Sequence, residues 1–257
     1  MTTGRLQGYL GLTYGKHAIS YWMHSLNHDA DLLVNMRYDP ATKMISHADH
    51  DETLDFACDV NRGTVVPAAR YMGPKCQPGP TPGSWLCPDI KFMRPIFFFN
   101  DDGRIGVPIA QAVAPSSTLQ GSLGFTHPRP LSIPVQCLLE YNWPKTLEIM
   151  YRPPVNIGGP NGVVTAESFL VAVAMHLDEF FKVNYARDTS SHTHAEKSLQ
   201  ARSARQDEKK TEWTIGGRSK ITRENILIIG LVHLGDAVWR PILQVEGIRN
   251  LPNPYWK

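Results

Sequence analysis

Leu32, Val34, Met36 and Tyr38 alternate with Leu33, Asn35 and Arg37. A period of two predicts a half-buried strand over residues 32–38. Asp39-Pro40 ends it, because proline has no N–H to give to a ladder. Residues 54–66 read as helical at first and extended afterwards. Residues 95–108, Pro-Ile-Phe-Phe-Phe-Asn-Asp-Asp-Gly-Arg-Ile-Gly-Val-Pro, read as strand, turn, strand, with Asp102-Gly103 as the hairpin turn. Residues 109–113 follow as a helical turn.

The clearest unit lies in the second half. Residues 134–141 alternate Val135, Cys137 and Leu139 on one side and predict a strand. Asn142-Trp143-Pro144-Lys145 turns it, and residues 146–151 form the return strand. A Gly/Pro/Asn loop then leads to a helix that Thr165 caps, with Glu167 in the first turn favouring the helix dipole. Ala166, Phe169, Leu170, Val173, Leu177, Phe180, Phe181 and Asn184 fall on one helical stripe. Residues 226–234 and 239–245 predict two closing strands, and Pro241 argues for an edge or a strand start in the second. The order strand, strand, helix, strand, strand over 134–245 is β-grasp-like. The expected fold is therefore α+β: a mixed sheet with one main helix on a face, and a loop-rich N-terminal half.

The rest of the chain is less patterned. Residues 1–30 carry Gly8, Gly11 and Gly15 without a phosphate-cradling spacing, and read as a loosely packed arm. Residues 31–245 read as a single domain. It holds a proline-rich loop at 67–95 and a charged, disordered insertion at 187–212, where Leu199 is the one large apolar residue. Residues 246–257 read as a tail that docks on a partner or folds back on its own sheet.

Composition narrows the function classes. The 257 residues carry a formal charge of +2 with 19% charged residues, too mild a balance to predict nucleic acid or an anionic membrane as partner. Between Arg187 and Arg223 nine basic residues face five acidic ones, which fits a solvated linker better than a phosphate-tracking tail. The first 21 residues lack a continuous apolar stretch, so no signal peptide is expected. Ile226–Val232 is too short to cross a bilayer. Cys58, Cys76, Cys87 and Cys137 have no metal spacing and are expected as free thiols in an intracellular, cytoplasmic or nuclear protein.

Four segments resemble a large family of uncharacterised basidiomycete fungal proteins that share a domain of unknown function. They are Met36-Arg-Tyr-Asp-Pro, the Phe98-Phe-Asn-Asp-Asp-Gly-Arg-Ile-Gly-Val-Pro-Ile turn, the strand from Val135 that ends in Trp143-Pro144, and Ile226 to Pro241, with its His233 and Trp239-Arg-Pro. The resemblance covers roughly residues 30–245 and implies no activity, cofactor or catalytic residue.

Candidate chemistry is sparse. His24 and His28 stand four apart, as two ligands of a metal do on a helix, but no third ligand is placed. His47-Ala-Asp-His-Asp-Glu lacks the glycine turn of a calcium loop and reads as solvated. His233, near Asp236 and Trp239, fits either a general base or a histidine held by backbone groups. Trp143, Trp213 and Trp239 beside turns line one groove or cap the core. No cofactor, metal or catalytic residue is expected. The leading expectation is a non-enzymatic protein-interaction or scaffold module with an unknown protein partner, using Trp143, His233 and Trp239. The alternative is a small-molecule-binding protein or enzyme with a pocket near His233 and Trp239.

Overall fold

The computed structural model describes residues 8–25, 36–47, 53–68, 77–81, 84–86, 88, 92–100, 102–114, 131–141, 143–144, 153–159, 161–190, 212–216 and 220–255. The fold is α+β. Its centre is the hairpin of β11 (Ile226–His233) and β12 (Val238–Glu246). To β12 adds β9 (Gln136–Leu139), in parallel, and to β9 adds β10 (Pro154–Asn156), antiparallel. On the other side β11 takes β7 (Ile96–Phe97) and β8 (Val107–Pro108), and β4 (Gly63–Val65) pairs with the far end of β12. The path therefore runs β10-β9-β12-β11-β7.

Smaller sheets stand apart from it. β1 (Met36–Tyr38), β2 (Met44–His47) and β3 (Thr53–Phe56) make an antiparallel meander, and β5 (Gln77–Pro78) pairs with β6 (Trp85–Leu86). The segment expected to begin helically at 54 is thus β3. Asp39 shapes the β1–β2 turn by accepting from Ala41 N at 2.9 Å and Thr42 Oγ1 at 2.6 Å.

Both faces of the main sheet are covered. On one lies the helix numbered α4 here (Ala166–Ser190), after α1 (Tyr9–Tyr14), α2 (Ala18–Ser25) and α3 (Ile109–Val113). Thr165 Oγ1 accepts from Ser168 N, as the sequence predicts of this cap, and Ser168 Oγ accepts from Thr165 N in return, each at 3.0 Å. Phe169, Leu170, Val173, Leu177 and Phe181 are buried against the sheet, each stabilising by about 1.5–3 kcal/mol.

On the opposite face lie α1 and α2. Tyr9, Leu10, Tyr14, Ala18 and Tyr21 are buried with Leu227, Ile229 and Ile242. This corrects the expectation of a loosely packed arm over residues 1–30, of which 8–25 are described. α1 is buried at Tyr9, Leu10, Thr13 and Tyr14, so it has no polar face to mark it in the sequence.

A bulge sets which side chains meet which helix. Ile228 pairs with Leu243 and Gly230 with Ile242, leaving Ile229 as the extra residue. Ile226 and Ile228 face α4 before the bulge and Leu231 after it, while Leu227, Ile229 and Val232 face α1. Without the bulge, odd and even positions would keep one face throughout.

Pro241 sits in the middle of the sheet rather than at an edge. Trp239 O accepts from Glu140 N at 2.7 Å and Leu243 O from Val66 N at 2.8 Å. The backbone groups of 239, 241 and 243 therefore turn to the same side. β9 pairs with β12 at 238–239 and β4 at 244–246, so the N–H that Pro241 lacks would point between them.

The return strand expected at 146–151 lies outside the described residues. The strand that does pair with β9 is β10, inside the stretch read as a loop. The helix α4 reaches into the segment read as disordered, and 191–211 lie outside the described residues. After β12 the chain folds back: Trp213 Nε1 donates to Pro252 O at 2.8 Å. Among the described residues no helix is long and apolar enough to cross a membrane.

Candidate functional site

His233 ends β11, at the turn into β12. Its Nδ1 accepts from Met93 N at 3.0 Å and its Nε2 lies 2.9 Å from Asp236 O. That places the proton on Nε2 and leaves the ring neutral. Burial holds its pKa below the ordinary value, against the opposing pull of Asp236. The ring packs against Trp239 at 4.8 Å and edge-on to Phe92 at 6.1 Å. Both nitrogens are thus committed to backbone, and His233 ties the hairpin end to the 92–93 segment.

The tryptophans are equally committed. Trp143 is 2% exposed and Trp239 1%. Trp143 Nε1 donates to Trp213 O at 2.5 Å, and its ring meets Phe181 at 5.1 Å. Trp239 meets Phe169 at 5.2 Å, twelve residues earlier on α4, or about 18 Å along the axis at 1.5 Å per residue. The three do not line one groove. Trp143 and Trp213 meet each other, and Trp239 caps a separate part of the core.

Histidine and cysteine candidates fall similarly. His24 is fully buried, with Nδ1 2.6 Å from Ser20 O and its ring on Phe92 at 5.1 Å. His28, residues 48–52, Cys76 and Cys87 lie outside the described residues. Burial pushes the Cys58 thiol up to about 12 and that of Cys137 to about 11, so neither is a nucleophile at neutral pH. Among the described residues no group of three or more His, Cys, Asp or Glu is placed to hold a metal ion.

The densest polar chemistry lies between α1 and β12. The Arg240 guanidinium pairs with the carboxylate of Glu140, the residue after β9, with side chains 5% and 0% exposed. Its carbon stands 5.6 Å over the Tyr14 ring, a cation–π contact. Four residues along β12, Gln244 Oε1 accepts from Tyr9 Oη at 3.1 Å, while its Nε2 donates to Asp59 O at 3.1 Å and Gly63 O at 3.2 Å. The two tyrosines of α1 thus each meet one polar side chain of β12.

Asp55, in β3, completes the dock. Its carboxyl group accepts from Leu10 N at 3.2 Å, supplying from another element the cap that Gly8 cannot. A Cβ on Gly8 would stand 2.0 Å from Asp55 Oδ2, so this approach requires glycine. Burial pushes the Asp55 carboxyl up to about 8, against the lowering effect of its backbone donors.

Sequence reading missed this cluster. A signal was present: Asp55, Glu140 and Arg240 are charges inside otherwise apolar strand segments, and such charges are almost never fully buried unless paired.

A cavity of about 20 Å³ adjoins the cluster, lined by Thr13, Val66, Tyr141, Arg240, Pro241 and Leu243 among others. His233, Trp143 and Trp239 do not line it. Elsewhere, β10 is the outermost described strand on its side of the main sheet. Beside it Val135 is 39% and Val163 44% exposed, joined through Gly158 and Gly159. Pro154 and Asn156 take the outward-facing backbone positions, because 153 and 157 bond to β9. No protein-family model, curated protein or solved structure matches the chain.

Proposed function

We propose that the chain is a non-catalytic protein-interaction or scaffold module built on a β-grasp-like core. The observation that carries this reading is how the reactive side chains are used. His233, Trp143, Trp239, Cys58 and the Arg240–Glu140 pair are each buried or partly buried and bonded or packed within the fold. The β-grasp reading rests on the order β10-β9-β12-β11, with β9 parallel to β12 and α4 packed on one face. Family membership among the basidiomycete proteins is part of the same proposal and rests on the four sequence segments alone.

The rim at β10 is the proposed contact surface. Pro154 removes one outward donor there, which limits strand addition. Recognition therefore falls to the apolar side chains of Val135 and Val163. The experiment is crosslinking of the tagged chain in its native extract, followed by identification of the crosslinked protein and binding with purified components. A defined partner whose affinity drops at least tenfold in the Val135→Asp, Val163→Asp double variant supports the reading. A metabolite that raises the Tm of the wild type, with no protein partner recovered, overturns it in favour of a small-molecule-binding protein.

A further inference from the structure

We propose that the cavity beside Arg240 is a built hydration site that holds one ordered water molecule as the missing rung of the central sheet. Pro241 breaks the run of N–H donors on the side of β12 that faces β9 and β4. On the β4 side the chain responds by peeling away. Val66 N still donates to Leu243 O, Pro67 has no N–H, and Ala68 N turns to Thr13 O at 2.9 Å. Two prolines thus meet across a gap, and the cavity lies there.

Its size selects the occupant. About 20 Å³ accommodates one water and nothing larger, since a water needs roughly 10–15 Å³ measured in the same way. Three polar side chains line it, those of Thr13, Tyr141 and Arg240. Arg240 brings guanidinium donors and Tyr141 a hydroxyl that both donates and accepts. Thr13 Oγ1 already donates to Tyr9 O at 2.8 Å, so it meets a water as an acceptor. Buried waters make about three such bonds. Charge excludes an anion, because Glu140 already neutralises Arg240 at this spot. The water would link α1 and the chain just past β9 to β12, where direct strand pairing is interrupted.

A crystal structure of the whole chain, at a resolution where ordered waters are visible, tests this. One density peak is expected within about 2.6–3.2 Å of at least two of Thr13 Oγ1, Tyr141 Oη and the Arg240 guanidinium. Density absent from the gap, or surrounded by carbon atoms only, would overturn the proposal. In solution the Ala68 methyl of the same protein should show a nuclear Overhauser effect to a long-lived water, and Val66→Ile, which fills the space, should abolish it. A bulk-like signal, or one unchanged in Val66→Ile, also counts against the site.

Discussion

Asp55 accepts from the backbone of Leu10 and Phe56 while fully buried. Its carboxyl titrates near 3.8 ordinarily and near 8 in the fold. Between those values the folded chain holds the extra proton, so stability falls as pH rises from about 4 to about 8 and levels above. Asp55→Asn should flatten that fall. Urea midpoints from pH 5 to 9 measure it, and an equally steep slope in the variant would refute the assignment. The Arg240–Glu140 pair gives a second test. Glu140→Ala leaves a guanidinium buried without its carboxylate and should cost about 3–5 kcal/mol. The Glu140→Leu, Arg240→Met double variant should recover most of that loss, and with the single variants Glu140→Leu and Arg240→Met it closes a double-mutant cycle. Turns misled the reading of residues: Trp143, Trp239 and His233 stand next to turn signals in the sequence, yet turns here lie against the core. Asp55, Glu140 and Arg240 were visible as misplaced charges, but the contact of Glu140 with Arg240 and that of Asp55 with α1 depend on how distant segments pack.

Elements with a long repeat were legible in the sequence, and short ones were not. α4 carries seven apolar side chains at helical spacing and its own Thr165 cap. Thr165→Ala should therefore cost about 1 kcal/mol, read as a loss of Tm of roughly 2–4 °C. β10 has three residues, too few for a period of two to stand out within a Pro/Gly/Asn stretch. β11 is buried at every position, so its alternation is hidden and the bulge at Ile229 cannot be read from it. Gly230 marks that bulge. A Cβ there would stand 2.4 Å from Ile96 O, so Gly230→Ala should push β7 off β11. Hydrogen exchange at Phe98 N, which donates to Ile229 O at 2.9 Å, should accelerate in the variant. Unchanged protection would show that the sheet absorbs the methyl.

At the scale of the molecule, α1 and α2 serve as the cover of the sheet's second face. A chain beginning at residue 26 should expose Leu227, Ile229, Val232 and Ile242, bind a hydrophobic dye and lose its sharp urea transition. A cooperative, dye-free truncation would mean that the face is sealed another way. The Tyr9–Gln244 bond that fastens this cover spans 235 residues. Ribosomes add about 5–20 residues each second, so α1 leaves the ribosome roughly ten to fifty seconds before the strand it docks on is made. The sheet's central hairpin is among the last described parts to be synthesised. Nascent chains stalled before Ile226 should therefore be cut readily by protease at α1, and chains stalled well past Glu246 should resist. For that interval the tyrosine-rich first helix is a natural client for chaperones that hold apolar segments.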